Sequence, residues 1–237
     1  MRTVPFLLFP ALIILAGCSD DQGTGESAPE PVDPLVAGLV FPDDPGQTYA
    51  AVCAVCHGPK GEGNRQLLAP SIAGLPAWFI ELQLSQFREG HRGAHPDDLH
   101  GRQMRQVALL LDEAATHAVA LQIEAMEKIP TVWTGEKPAP PLVRARRIYA
   151  NQCMSCHRFN GTGERVFRSA PLIGLPDWYL AGQLKKYRAG WRGTQPADHY
   201  GAKMVAVSSR LSDQDIEEMA AYLAALAAGD DPRPEMD

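Results

Sequence analysis

The chain has 237 residues and a formal net charge of −6, an acidic balance that argues against a nucleic-acid partner. That length suffices for one large domain or two small ones. Five cysteines are an odd number, so one of them needs an explanation separate from the others.

Residues 1–17 carry a single charged side chain, Arg2, and then an apolar run from Val4 to Leu15 that ends Leu15-Ala16-Gly17-Cys18. The run is too short to cross a bilayer comfortably, and small residues stand directly before a cysteine. This is the pattern of a bacterial lipoprotein signal, with Cys18 acylated after cleavage; an ordinary secretory signal or an uncleaved anchor helix are the alternatives. All three export the chain, so a periplasmic protein held to a membrane by its lipid is expected. Residues 18–34 are polar, rich in Asp, Glu and Pro, and cannot bury a core; they read as a disordered acidic tether.

From Leu35 onward the sequence is a duplication. Gly61 and Gly63 recur as Gly161 and Gly163, Gly74-Leu75-Pro76 as Gly174-Leu175-Pro176, and Trp78, Gln83, Arg88, Gly90, Arg92 and Gly93 each recur one hundred residues later. The repeats divide the chain into a first domain at 35–133, a proline-rich linker at 134–141, a second domain at 142–229 and a flexible tail at 230–237. In each repeat the pattern is helical. Asp44 before Pro45 opens a helix running into Cys53, and Trp78 to Phe87 and Trp178 to Tyr187 form middle helices ended by glycine. Asp112 and Ser212 cap the last helices, and no apolar–polar alternation competes.

Each repeat carries Cys-x-x-Cys-His: Cys53-Ala-Val-Cys56-His57 and Cys153-Met-Ser-Cys156-His157. Cysteines three apart share a helical face, so both sulfurs can form thioethers to one haem while the adjacent histidine turns to the iron. A zinc clamp, a redox dithiol or a disulfide are rival readings of the cysteine pairs, but none needs the histidine. A methionine follows each histidine at an equal distance, His57 to Met104 and His157 to Met204, behind Gly101 and Gly201 loops. Haem iron held by His and Met is an electron-transfer centre of raised potential, whereas zinc gains nothing from a thioether. The expected cofactors are therefore two covalently bound haem c groups, with His57, Met104, His157 and Met204 on the irons.

These signatures, with the Gly-x-Gly, Ala69-Pro70, Ala170-Pro171, Gly-Leu-Pro-x-Trp and Gly-x-Arg-Gly segments, make the chain resemble a tandem class I cytochrome c of the dihaem cytochrome c4 kind, from about Gly46 to Ala228. The resemblance implies an all-α fold of two cytochrome c domains, each wrapped around one haem. It implies electron transfer without catalysis, between membrane respiratory complexes such as a cytochrome reductase and a terminal oxidase, or other redox proteins. It further implies that the carbonyls of Pro70 and Pro171 accept the imidazole N–H of the two haem-ligating histidines. The lipoprotein signal and tether depart from the freely soluble pattern. A fixed relay subunit of a larger oxidase or dehydrogenase is an alternative function, and a dihaem peroxidase another, though the latter needs an open sixth position.

Arg88, Arg92, Arg188 and Arg192 are candidates to pair with haem propionates, with a solvated helix face as the plainer fate. Trp78 and Trp178 are candidates for haem contact or core packing. Between Arg144 and Arg210 twelve Lys or Arg face three acids, whereas the first domain is net acidic. That polarity predicts an acidic partner for the second domain, docking on Lys185, Lys186 and Arg188.

Overall fold

The computed structural model describes residues 32–135 and 142–229. The signal at 1–17, Cys18, most of the tether, the linker from 136 to 141 and the tail lie outside the described residues.

The architecture is all-helical and repeats itself. The first domain has α1 (Pro34–Ala37), α2 (Ala54–His57), α3 (Ala77–Arg88), α4 (Leu99–Leu110) and α5 (Glu113–Glu124). The second has α6 (Val143–Ile148), α7 (Met154–His157), α8 (Asp177–Arg188), α9 (His199–Ser208) and α10 (Asp213–Ala227). Helix α3 packs on α4 and α5, and α8 packs on α9 and α10, so each domain is a small bundle around its middle helix. The described residues form no strand; one isolated antiparallel bridge per repeat, Asn64 with Ala69 and Glu164 with Ser169, pins the loop after each haem-attachment motif.

The helix expected to run into Cys53 changes pitch on the way: a 3₁₀ turn at Pro45–Gln47 is followed by a π-helical turn at Tyr49–Cys53 and then α2. The second repeat repeats the π turn at Tyr149–Cys153. A π turn adds a residue to the helical circuit, which re-aims the cysteines relative to the preceding helix. Tyr49 and Tyr149, both fully buried, donate to the carbonyls of Gly58 and Arg158 at 2.7 and 2.6 Å and lock the chain just past each motif.

Capping follows the sequence at the far ends. Asp112 accepts from the Ala115 N–H, and Ser212 with Asp215 forms a full capping box at α10. Gly93, at φ 70°, lies so close to the carbonyl of Gly101 that any Cβ would collide with it, and Gly193 repeats this against Gly201. The Gly-x-Arg-Gly segments are thus the places where the chain crosses the start of α4 and of α9.

The two domains share an interface. Gly174 approaches Leu75 so closely that a Cβ would lie 3.1 Å from its Cδ2. Residues counted with the first repeat and the linker are held by the second. Thr131 is buried, donates its hydroxyl to the Leu175 carbonyl at 2.7 Å and its N–H to the Ile173 carbonyl at 3.1 Å; Thr134 donates its N–H to Asp177 at 2.6 Å. At the other end Asp33, placed in the tether by sequence, caps α1 and bonds to α4.

Candidate haem sites

A cavity in each domain collects the residues singled out by spacing. In the first, of about 400 Å³, Cys53, Cys56 and His57 meet Met104 among Phe79, Leu84 and other apolar side chains. In the second, of about 180 Å³, Cys153, Cys156 and His157 meet Met204. The two cysteine pairs open into separate cavities, so no four-thiolate zinc site forms between them. Burial pushes the Cys53 and Cys153 thiols up to about 12, the reverse of the low-pKa thiolate that a redox dithiol requires.

The imidazoles are held in one tautomer. His57 Nδ1 donates to the Pro70 carbonyl at 2.8 Å, and because a carbonyl only accepts, Nε2 is left bare to face a metal. Burial pulls the His57 pKa down, against the pull of that carbonyl, and keeps the ring neutral as a ligand must be. His157 behaves alike, but its partner is the Ala170 carbonyl at 2.9 Å, not that of Pro171. This corrects the expectation for Pro171. In both repeats the accepting carbonyl stands thirteen residues past the histidine, at a position set by the bridged loop, so backbone register decides the contact and the proline ring does not.

The segments expected as loops ahead of the methionines are helical: Gly101 and Gly201 lie in the first turns of α4 and α9, which also carry Met104 and Met204, and Asp98 and Asp198 cap those helices through the N–H groups of Gly101 and Gly201 at 2.9 and 2.8 Å. A buried cap therefore fixes the helix that presents each sulfur.

Between the two cavities lies a buried cationic cluster. Arg92 and Arg192 are each 7 % exposed. Arg92 donates to Gln83 and, across the interface, to the Tyr179 hydroxyl at 2.9 Å and Gln183 at 3.4 Å; Arg192 donates to Gln183 at 2.6 Å. Burial and then the neighbouring Arg92 hold the Arg192 pKa below its ordinary value. Burial would raise Tyr179, but Arg92, Arg192 and Lys186 outweigh it and bring the phenol below its usual range. The Arg192 Nε is buried without a hydrogen-bond partner among the described residues. A cation so placed calls for an anion, and the carboxylate tail of a haem in either cavity would supply one. The donor set, the apolar walls and the unpartnered Arg192 Nε fit haem c in both domains.

Of the other arginine candidates, Arg88 and Arg188 turn away, donating to the carbonyls of Leu111 and Leu211 at 3.1 and 2.8 Å. Trp178 lines the first cavity, with Arg65 over its ring, whereas Trp78 packs edge-on against Phe79. Lys186, expected on a docking face, bonds Asp98 of the first domain at 2.5 Å. Sequence reasoning missed Tyr179 and Gln183 as walls of the first cavity; the signal was the change from Phe79 to Tyr179 between otherwise matching helices.

Comparison with known proteins agrees with this geometry. The cytochrome c family matches twice, over residues 44–124 and 142–227. The chain is 30 % identical over 182 residues to a thiosulfate dehydrogenase electron acceptor of Stutzerimonas stutzeri (strain A1501), covering 74 % of this chain and 79 % of the relative. It is 29 % identical over 191 residues to cytochrome c4 of Azotobacter vinelandii, covering 76 % and 87 %. The solved cytochrome c4 of Acidithiobacillus ferrooxidans superposes with a TM-score of 0.58 at 26 % identity, over 73 % of this chain and 97 % of that one. With the attachment motif, the histidine and the cavity all present twice, the chain belongs to the cytochrome c family, as a tandem, dihaem member of the cytochrome c4 type with two covalently bound haem c groups.

Proposed function

We propose that this dihaem cytochrome carries electrons, one at a time, between redox proteins on the periplasmic side of a bacterial membrane, with His57 and Met104 as axial ligands in the first domain and His157 and Met204 in the second. When bound, each haem supplies a one-electron iron couple. The observation that carries the reading is the sharing of walls: Tyr179, Gln183 and Lys186 of α8 line the first cavity, and Phe79, Gln83 and Gln86 of α3 line the second. Two redox centres separated only by one layer of side chains suit internal transfer. A methionine in each cavity supports capped irons and argues against a peroxidase, which needs a position open to substrate.

A second reading, a relay attached to a particular dehydrogenase, is favoured by similarity to a relative named thiosulfate dehydrogenase electron acceptor. In either case Cys18 is the proposed lipid anchor. Cys18→Ser should send the haem-loaded protein to the soluble periplasmic fraction; unchanged membrane retention would remove the anchor from the reading.

The axial ligands are tested by Met104→Ala and Met204→Ala in the holoprotein. Each change should abolish about half of the long-wavelength sulfur-to-iron absorbance and lower one of the two reduction potentials, since methionine ligation raises the potential. If both variants keep the full band and both potentials, other residues ligate the irons.

A further inference from the structure

Helix α1 lies over the first cavity, on the side where Cys56 and Met104 open toward the surface. The Asp33 N–H donates to Gln106 Oε1 at 2.8 Å, and Gln103 Nε2 donates to the Asp33 carboxylate at 3.0 Å, so the segment is bolted to α4 at two points. Leu35, Val36 and Leu39 then join Cys56 and Met104 as walls of the cavity, and Val36 is 5 % exposed. Beneath this strap His100, Gln103 and Gln106 are half-buried. Their counterparts in the second domain, Tyr200, Lys203 and Ala206, are all exposed. Ala206 lacks the acceptor that Gln106 offers, so the second domain could not hold such a strap in the same way.

The corresponding face of the second domain, exposed among the described residues, has its own composition. Phe159 and Val166 are 69 % and 76 % exposed, and Phe167 and Tyr200 are exposed beside them. Phe167, Arg168, Tyr200 and Lys203 reach the cavity that contains Cys156 and Met204. Arg168 and Lys203 stand over the Tyr200 ring, 5.6 and 5.2 Å from its centroid. The acid in that loop, Glu164, is bonded to Arg158. At the matching positions the first domain has Pro59, Gln66, Leu67, Leu68, His100 and Gln103, with no Phe, Tyr, Lys or Arg among them. An apolar centre with a cationic rim at a cofactor edge is a protein-docking composition, and its sign selects an acidic partner.

We propose that the strap Asp33–Leu39 closes the first domain's haem edge, and that outside partners exchange electrons at the second domain, on the Phe159–Phe167–Lys203 face, which fits an acidic one-electron redox protein. The proposal rests on the electron-transfer reading above. In each encounter one electron passes from the partner's reduced centre to the oxidised second site, or the reverse. No bond is made or broken; the first site is filled from the second through the interface.

The test uses the full-length holoprotein and a reduced acidic [2Fe–2S] ferredoxin as probe. At low salt, carbodiimide should cross-link the ferredoxin chiefly to Lys203, and Arg168→Glu with Lys203→Glu should slow reduction about tenfold. That difference should vanish at high salt. Lys60→Glu, on the first domain's exposed surface, should change the rate less than twofold. Val36→Asp, which expels the strap, should restore part of the rate in the doubly reversed protein by opening the first edge, with increased radical labelling of Met104 as an independent readout. Cross-links concentrated on Lys60 or Lys128, or equal slowing by Lys60→Glu and the double reversal, would overturn the docking assignment while leaving the electron-transfer reading intact. Failure of a fully haem-loaded protein to accept electrons from ferredoxin and from dithionite alike would overturn both.

Discussion

The two domains share a plan and differ in how they are finished. The first has the larger cavity, about 400 against 180 Å³, and closes it with its own α1 on one side and with Trp178, Tyr179 and Lys186 of the other domain's α8 on the other. The second closes its cavity with smaller contributions from α3 and leaves Phe159, Val166, Phe167 and Tyr200 exposed on its outer face. Its extra polar bonds lie elsewhere, in Thr134 with Asp177 and in Arg144 with Asp215. Duplication thus preserves the residues that hold a haem, while the surrounding sequence diverges toward an enclosed site and an open one.

The largest effect that bears on this contrast is loss of a haem. Replacing Cys53 and Cys56 with Ala, or Cys153 and Cys156, should in either case reduce the haem content from two per chain to one by the alkaline pyridine spectrum. The first change should also cost more helical circular dichroism, because an emptied larger cavity leaves more apolar surface unsupported. Equal losses of helix from the two variants would mean that cavity size does not measure how far each domain leans on its haem.

Much of this was legible in the sequence because covalent chemistry and caps are local. Cys-x-x-Cys-His, the equal histidine-to-methionine spacings, Asp112 and Ser212 each declare themselves within a few residues. Contacts between domains do not. Lys186 reads as a free surface lysine on α8 until Asp98, eighty-eight positions away in sequence, is seen beside it. Pro171 reads as the imidazole's partner because its residue type matches Pro70, while the bond depends on the carbonyl's place in the loop, which is Ala170. Asp33 lies in an acidic, proline-rich stretch whose composition suggests a tether, yet two glutamines on α4 capture it.

A smaller difference follows each attachment motif. The first domain uses Gly58 at φ 79°, ψ 156°; the second puts Arg158 at φ 65°, ψ 161°, a region that side chains rarely adopt. Such a residue costs on the order of 1–3 kcal/mol and persists because neighbours dictate the backbone, here the Tyr149 hydroxyl on its carbonyl. Arg158→Gly should therefore stabilise the second domain by about 1 kcal/mol in denaturant unfolding of the holoprotein, the relief of strain being offset in part by the greater freedom of glycine when unfolded. Destabilisation would mean that the Arg158–Glu164 pair outweighs the strained backbone.

The last contrast appears only in acid. Asp215 is buried at the start of α10, where Arg144 first, then Ser212, hold its carboxyl well below the usual carboxylate range against the opposing push of burial. Ala115 occupies the equivalent place in α5, so the first domain has no such group. A carboxylate with a depressed folded pKa adds stability that is fully present above its unfolded pKa of about 3.9 and is lost as pH falls toward the folded value. The second domain should consequently lose stability more steeply than the first as pH drops below about 4, followed by separate melts of variants that keep only one haem. Asp215→Asn should flatten that acid slope in the second domain and lower its stability at neutral pH, where the ion pair is otherwise intact. An unchanged slope would assign the acid response to groups other than the Arg144–Asp215 pair and would erase this part of the difference between the domains.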